Sequence, residues 1–256
     1  MDKEVLVRSE AGREMSDRVA VEEPLQITVD GHPVAVVMRT PGHDADLVRG
    51  FLLTEGVIRQ LADLRAIDLD SRPNHALVFL RDDAEWDVSR FSRNLFSASS
   101  CGICGKASIE AVMRELPPLA PGPVIPAEVL LRAPDLMRES QTTFESTGGL
   151  HACAWFTATG TLRLIREDVG RHNATDKVIG AALAEEVPLH EGFLMVSGRV
   201  SFEIVQKALA AGVAVVAAVS APSSLAIEFA AQSGMTLAGF LRPPRFNVYT
   251  GGERIG

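Results

Sequence analysis

The run FLMVSGRVSFEIVQKALAAGVAVVAAV, residues 193–219, decides the fold. Residues 193–196 are continuously apolar and stop at Ser197-Gly198-Arg199. An amphipathic stretch follows over 202–211, and residues 213–219 are apolar again. Apolar runs too short for helices read as strands buried on both faces, and strand, helix, strand in that order is the unit of a parallel sheet covered by helices. The rhythm continues outward, with a helix over 173–184 on one side and a helix over 223–233 and a strand over 235–240 on the other. The C-terminal half is therefore expected to be α/β, with a parallel or mixed sheet.

The first half lacks that alternation. Residues 25–29 and 34–38 flank Asp30-Gly31, which supplies the positive φ angles of a tight turn, so they predict a β-hairpin. Thr40-Pro41-Gly42-His43-Asp44 opens a helix with an apolar face of Leu47, Val48, Phe51 and Leu52 and a stop at Gly56; His43 reads as a solvated residue of that helix entry. Strand-like pieces at 64–69 and 76–80 follow. Residues 1–20 show no periodicity and are expected to be poorly ordered. The proline-rich run 116–123 ends any helix before it. The division expected is a poorly ordered 1–20, an N-terminal subdomain over 21–120 and a C-terminal α/β domain over 121–256. Within the last, a helix is predicted from Pro126 to just before Thr147-Gly148-Gly149, then a hairpin of 150–156 and 161–165 turning at Thr159-Gly160.

Composition narrows the function classes. A net charge of -8 over 256 residues argues against binding nucleic acid through its phosphates. No long apolar span suggests a membrane segment, and three cysteines make no disulfide framework, so a cytoplasmic protein with reduced thiols is expected.

Two of those cysteines lie in Ser99-Ser100-Cys101-Gly102-Ile103-Cys104-Gly105-Lys106. They sit among serines and glycines rather than core residues, just before apolar periodicity resumes at Ile109, Val112, Met113 and Leu116. A cysteine at a helix N-terminus beside a lysine favours its thiolate, the nucleophilic form. Cys153, in Leu150-His151-Ala152-Cys153-Ala154-Trp155-Phe156, instead reads as a small buried strand residue.

Polar turns gather where the C-terminal strands end. Ser197-Gly198-Arg199, residues 220–224 and Phe240-Leu241-Arg242-Pro243-Pro244-Arg245 each follow a strand, and helix N-termini at such ends suit anionic ligands. Residues 167–177, which include His172, and Thr147-Gly148-Gly149-Leu150-His151 add polar side chains beyond what a helix cap needs. Each of these clusters also has a plain structural reading as caps or surface.

Taken together, Cys-Gly-Ile-Cys-Gly at 101–105, Thr-Gly-Gly-Leu-His-Ala at 147–152, Glu-Asp-Val-Gly-Arg-His-Asn-Ala at 167–174, Ser-Gly-Arg-Val-Ser-Phe-Glu at 197–203 and Ser-Ala-Pro-Ser-Ser-Leu-Ala at 220–226 resemble the FdhD/NarQ family of formate dehydrogenase accessory proteins. Thr40-Pro41-Gly42 and Gly50-Phe51-Leu52-Leu53-Thr54-Glu55-Gly56 add to the match, which runs from about residue 25 to the C-terminus. The resemblance implies a cytidine-deaminase-like α/β sandwich, a homodimer, and a sulfurtransferase role as a sulfur carrier. Such a carrier accepts sulfur from a cysteine desulfurase as a cysteine persulfide and passes it to the molybdenum cofactor in its bis-guanine-dinucleotide form, before insertion into formate dehydrogenase. By motif, Cys101 would bear the persulfide, Cys104 is its companion, and Phe240, Leu241, Arg242, Pro243, Pro244 and Arg245 belong to the cofactor-binding stretch. Ser197, Arg199 and His172 are added as candidate cofactor contacts, and a guanine nucleotide such as GDP is the expected mimic. No resident metal is expected.

Two other classes use the same residues. A zinc-binding deaminase-like hydrolase could draw on Cys101, Cys104, His151 and Cys153, yet the glutamate that a deaminase carries two residues after its histidine is replaced here by Cys153. A dithiol oxidoreductase would want Cys-x-x-Cys in a strand-to-helix context near the chain start, which is missing.

Overall fold

The computed structural model describes residues 1–88, 119 and 121–256; Cys101, Cys104, the expected helix after them and most of the proline-rich connector lie outside the described residues. The fold is mixed α/β, built on three sheets.

Residues 1–20 correct the expectation of disorder. Strands β1 (Asp2–Arg8) and β2 (Glu14–Ala20) pair antiparallel as a hairpin. Most of its side chains are exposed, so no alternation marked it in the sequence. The base is anchored instead by Ser146 Oγ donating to Asp2 Oδ2 at 2.9 Å and Val21 N donating to Met1 O at 3.1 Å.

A four-stranded sheet follows, ordered β4-β3-β6-β5 and made of β3 (Glu23–Val29), β4 (His32–Arg39), β5 (Leu64–Asp68) and β6 (His75–Leu80). The expected hairpin turns at Asp30 and Gly31, at φ 45° and 82°. Helix α1 (Asp44–Thr54) lays Leu47, Val48 and Leu52 on this sheet against Leu25, Ile27, Val29, Ala76 and Val78. His43 is its left-handed N-cap with a half-exposed side chain, and Asp44 and Asp46 complement the helix dipole in the first turn.

The larger sheet has six strands in the order β12-β11-β10-β9-β7-β8. Its members are β7 (His151–Thr157), β8 (Leu162–Asp168), β9 (Gly192–Val196), β10 (Val215–Ala218), β11 (Thr236–Arg242) and β12 (Arg245–Thr250). The three central strands β9, β10 and β11 are parallel, while β7, β8 and β12 run antiparallel to their neighbours. Ala152, Ala154, Phe156, Phe193, Met195, Val215 and Ala217 face helix α2 (Ala127–Glu139) on one side. Cys153, Trp155, Leu194, Val196 and Val216 face α4 (Arg171–Ala184), α5 (Phe202–Ala210) and α6 (Ser224–Gln232) on the other.

Two expectations for this half are corrected. The single helix after Pro126 breaks at Ser140 and Gln141 into α2 and a short α3 (Thr142–Thr147). Strand β11 does not stop at Phe240 but runs on to Arg242, and residues 243–244 turn into an unforeseen edge strand, β12, which is too exposed to show an apolar pattern.

A polar seam joins the two large sheets. Helices α1 and α4 cross so closely that a Cβ on Gly50 would stand 1.8 Å from the Asp176 carbonyl oxygen, and one on Gly180 1.9 Å from that of Asp46. Beside the crossing, Lys177 Nζ and Asp168 Oδ2 pair at 2.7 Å with both side chains fully buried. Asp168 also accepts from Thr40 N, Gly170 N and Asn173 Nδ2, and Lys177 donates to Thr40 O at 2.8 Å. Further along, Lys207 Nζ donates to Asp176 Oδ2 and Thr54 Oγ1, each at 2.9 Å, and pairs with Glu55 at 3.3 Å. Burial alone would lower the Lys207 ammonium, but the Asp176 and Glu55 carboxylates outweigh it and raise it above the ordinary lysine range.

Candidate functional site

Because β9, β10 and β11 are parallel and β7 opposes β9, three carboxyl ends and the amino end of β7 share one edge of the large sheet. A cavity of about 690 Å³ opens there, roofed by α2 and α3. Its lining includes Ser197 after β9, Val219 after β10, Leu241, Arg242 and Pro243 from the end of β11, and Gly148, Gly149, Leu150 and His151 at the entry of β7. From the roof come Asp135, Met137, Arg138, Gln141 and Phe144, none of them among the expected site residues.

The β7 entry is set by backbone exchange. Ser197 N donates to Ala152 O at 3.0 Å, and Ala152 N donates to Ser197 Oγ at 2.9 Å, so the Ser197 hydroxyl is partly engaged in extending the ladder. Gly198 leaves room for the next ring, since a Cβ there would come within 3.1 Å of His151 Nδ1. His151 is held below the ordinary histidine value, first by burial and then by the neighbouring Arg171 and His172 charges, so it is neutral near pH 7.

The short helix α3 owes its place to Glu167 at the end of β8. Its carboxylate accepts from Thr143 N at 2.9 Å and Phe144 N at 2.7 Å, satisfying the first turn with negative charge. Phe144 then stacks beneath the Arg138 guanidinium, 4.5 Å from its ring centroid. Among the described residues neither Arg138 nor Arg242 forms a salt bridge, and the lining sets these two exposed arginines together with the Asp135 carboxylate.

Ser197, Leu241, Arg242 and Pro243 thus come together, whereas the other expected contacts lie apart. Phe240 is left-handed at φ 54° and exposed, its N–H donating to Ser220 O at 3.2 Å. Pro244 and Arg245 belong to the hairpin beyond the cavity, with Arg245 opposite Arg242 across the strands. Arg199 is exposed, near enough to His151 to depress its basicity but outside the lining. His172 is buried at the N-terminus of α4, with Nε2 3.0 Å from Ser201 Oγ and 2.9 Å from Glu203 Oε2. Ser223 is a plain cap, accepting from Ala226 N at 3.3 Å. Most of residues 167–177 belongs to the seam rather than to a site. For the zinc alternative, Cys153 is fully buried and its thiol is pushed up to about 12, chiefly by burial, while no metal-ligating cluster occurs among the described residues.

The comparisons with known proteins bear on this arrangement. A family model described as the FdhD/NarQ family matches residues 20–256. The chain belongs to that family. It is 48% identical over 254 residues to a protein named sulfur carrier protein FdhD from Mycolicibacterium paratuberculosis, covering 94% of this chain and 92% of the relative. It is 44% identical to the protein of the same name from Streptomyces coelicolor, covering 99% and 94%. The crystal structure of a chain described as a formate dehydrogenase accessory protein from Desulfotalea psychrophila superposes with a TM-score of 0.80 at 26% identity, covering 100% of this chain and 99% of that one. Among the described residues, no helix is long and apolar enough to cross a membrane.

Proposed function

We propose that this protein is a cytoplasmic sulfur carrier that serves a formate dehydrogenase. In this reading the Cys101 thiolate attacks the terminal sulfur of a cysteine desulfurase persulfide. The new S–S bond forms on Cys101 as the bond to the donor cysteine breaks, and that cysteine leaves as its thiolate, so nothing is oxidised or reduced overall. Cys104 stabilises or resolves the product. The acceptor is the molybdenum cofactor in its bis-guanine-dinucleotide form, held as substrate with one nucleotide half in the cavity, and the working unit is a homodimer.

The observation that carries this reading is the cavity itself, whose lining brings Arg138 and Arg242 together beside Phe144 with a single carboxylate, Asp135, among the described residues. Unpaired arginines suit phosphate and a ring beside them suits a heterocycle. A volume of about 690 Å³ lies within the range of small-molecule and cofactor sites. The relatives named sulfur carrier protein FdhD support the same role. Incubation with a cysteine desulfurase and cysteine, followed by intact mass and peptide mapping, tests it: one added sulfur is expected on Cys101 and none on the Cys101→Ala variant. Sulfur appearing equally on that variant would overturn the assignment.

A further inference from the structure

The hairpin of β1 and β2 is a two-stranded sheet of its own, and neither of its outer edges carries a strand among the described residues. Two strands alone are marginal in water, and an open edge invites a further strand. Only the base is held. Asp2 accepts from Ser146 Oγ of α3 and pairs with Arg18 at 3.4 Å, and Val21 N donates to Met1 O at 3.1 Å. Beyond the base, Leu6 is 80% exposed and Met15 54%. By the register, Val5, Val7, Met15 and Val19 share one face, and none of them joins a hydrophobic core of the described residues.

The order of residues along β1 says what fits its open edge. Laid antiparallel against a second β1 and centred on Leu6, the strand sets Leu6 opposite the partner's Leu6, Val5 opposite the partner's Val7, and Glu4 opposite the partner's Arg8. The last two pairs occur twice, because a two-fold contact repeats every pair but the central one. Apolar residues therefore meet apolar ones and each charge meets its opposite, the pairs that stabilise adjacent strands. Both charges can be shared. Arg8 lies 3.7 Å from Glu14 with both side chains more than two-thirds exposed, an ion pair of little worth, and Glu4 takes the Ser16 hydroxyl on Oε1 alone. The edge of β2 is a poorer match, since the same construction centred on Ser16 sets Met15 against the partner's Asp17.

We propose that the hairpin is an arm that docks a second copy of this chain, the two β1 edges pairing about Leu6 into one four-stranded sheet. The inference rests on the reading that the working unit is a homodimer, and it adds which surface joins the two copies. Sedimentation velocity of the full chain over a range of concentrations is the test. Leu6→Lys places two lysines directly opposite each other and is expected to weaken dimerisation at least about tenfold, while Ser16→Lys, on the other edge, leaves it unchanged. Glu4→Arg and Arg8→Glu should each weaken self-association by setting like charges opposite, and mixing these two variants should restore it, because the mixed dimer pairs every charge with its opposite again. Undiminished dimerisation of Leu6→Lys would overturn the arm as the interface and leave the homodimer reading standing. Equal loss in Leu6→Lys and Ser16→Lys would point to a disturbed hairpin and overturn the edge pairing, as would a mixture that fails to recover. If the unmodified chain sediments as a monomer throughout, the homodimer reading itself falls, and the arm with it.

Discussion

The seam between the sheets and the cavity at the sheet edge are built from the same residue types and use them oppositely. In the seam, Asp168, Lys177, Asp176 and Lys207 are buried and each has a charged partner, joined by backbone groups at Asp168 and Lys177 and by Thr54 Oγ1 at Asp176 and Lys207. In the cavity, the exposed Arg138 and Arg242 form no salt bridge among the described residues and border open volume. A buried charge whose bonds are all internal fixes two elements against each other, whereas one left open is an offer to something outside the chain. Asp168, Asn173, Asp176 and Lys177 turn toward α1 and its approach, while Arg171 and His172 stand near His151 at the sheet edge.

That contrast can be broken most directly at Lys177. Lys177→Met leaves Asp168 buried without its counter-charge, and an unfolding free energy lower by about 3–5 kcal/mol is expected in urea titration. A loss below about 1 kcal/mol would show that the Asp168 hydrogen bonds suffice and the ion pair is not what holds the seam. Gly50→Ala tests the helix crossing. With its Cβ 1.8 Å from the Asp176 carbonyl oxygen, α1 must move away from α4, at a cost of about 3 kcal/mol in the same measurement.

The cavity should answer differently. Arg242→Ala is expected to leave unfolding within about 0.5 kcal/mol of the unmodified protein, since its side chain holds nothing in place. Its GDP affinity should nevertheless fall roughly ten- to a hundredfold by calorimetry, the contribution of a charge-assisted phosphate contact. Equal stability losses in Arg242→Ala and Lys177→Met would erase the distinction between the regions. The smallest effect belongs to Cys153→Ala, with a stability cost on the order of 1 kcal/mol and sulfur loading unchanged. Because burial pushes the Cys153 thiol up to about 12, an alkylating reagent at pH 8 should leave it unmodified in the folded protein. Alkylation of Cys153 there would mean that this part of the core opens.

Much of the scaffold was legible in the residues. The apolar runs that became β9 and β10, the Asp30-Gly31 turn and the face of α1 follow from period and turn chemistry, which act over a few residues and survive translation into sequence patterns. The hairpin β1–β2 and the edge strand β12 did not, because exposed strands carry no alternation to read. At the candidate site, Ser197 and Arg242 could be picked out as polar residues at strand ends, but Arg199 and Arg245 looked the same and lie outside the cavity.

Sequence by itself determined the α/β rhythm, the buried strands, the turn glycines and the family motifs, since each depends on neighbours in the chain. Tertiary structure alone decided which polar residues are locked and which are open. Asp168 becomes a seam residue because Thr40 and Lys177 close around it, and Glu167, from the end of β8, becomes the cap of α3. Whether a polar side chain finds its partner depends on groups brought together from distant parts of the chain, and no local pattern records that.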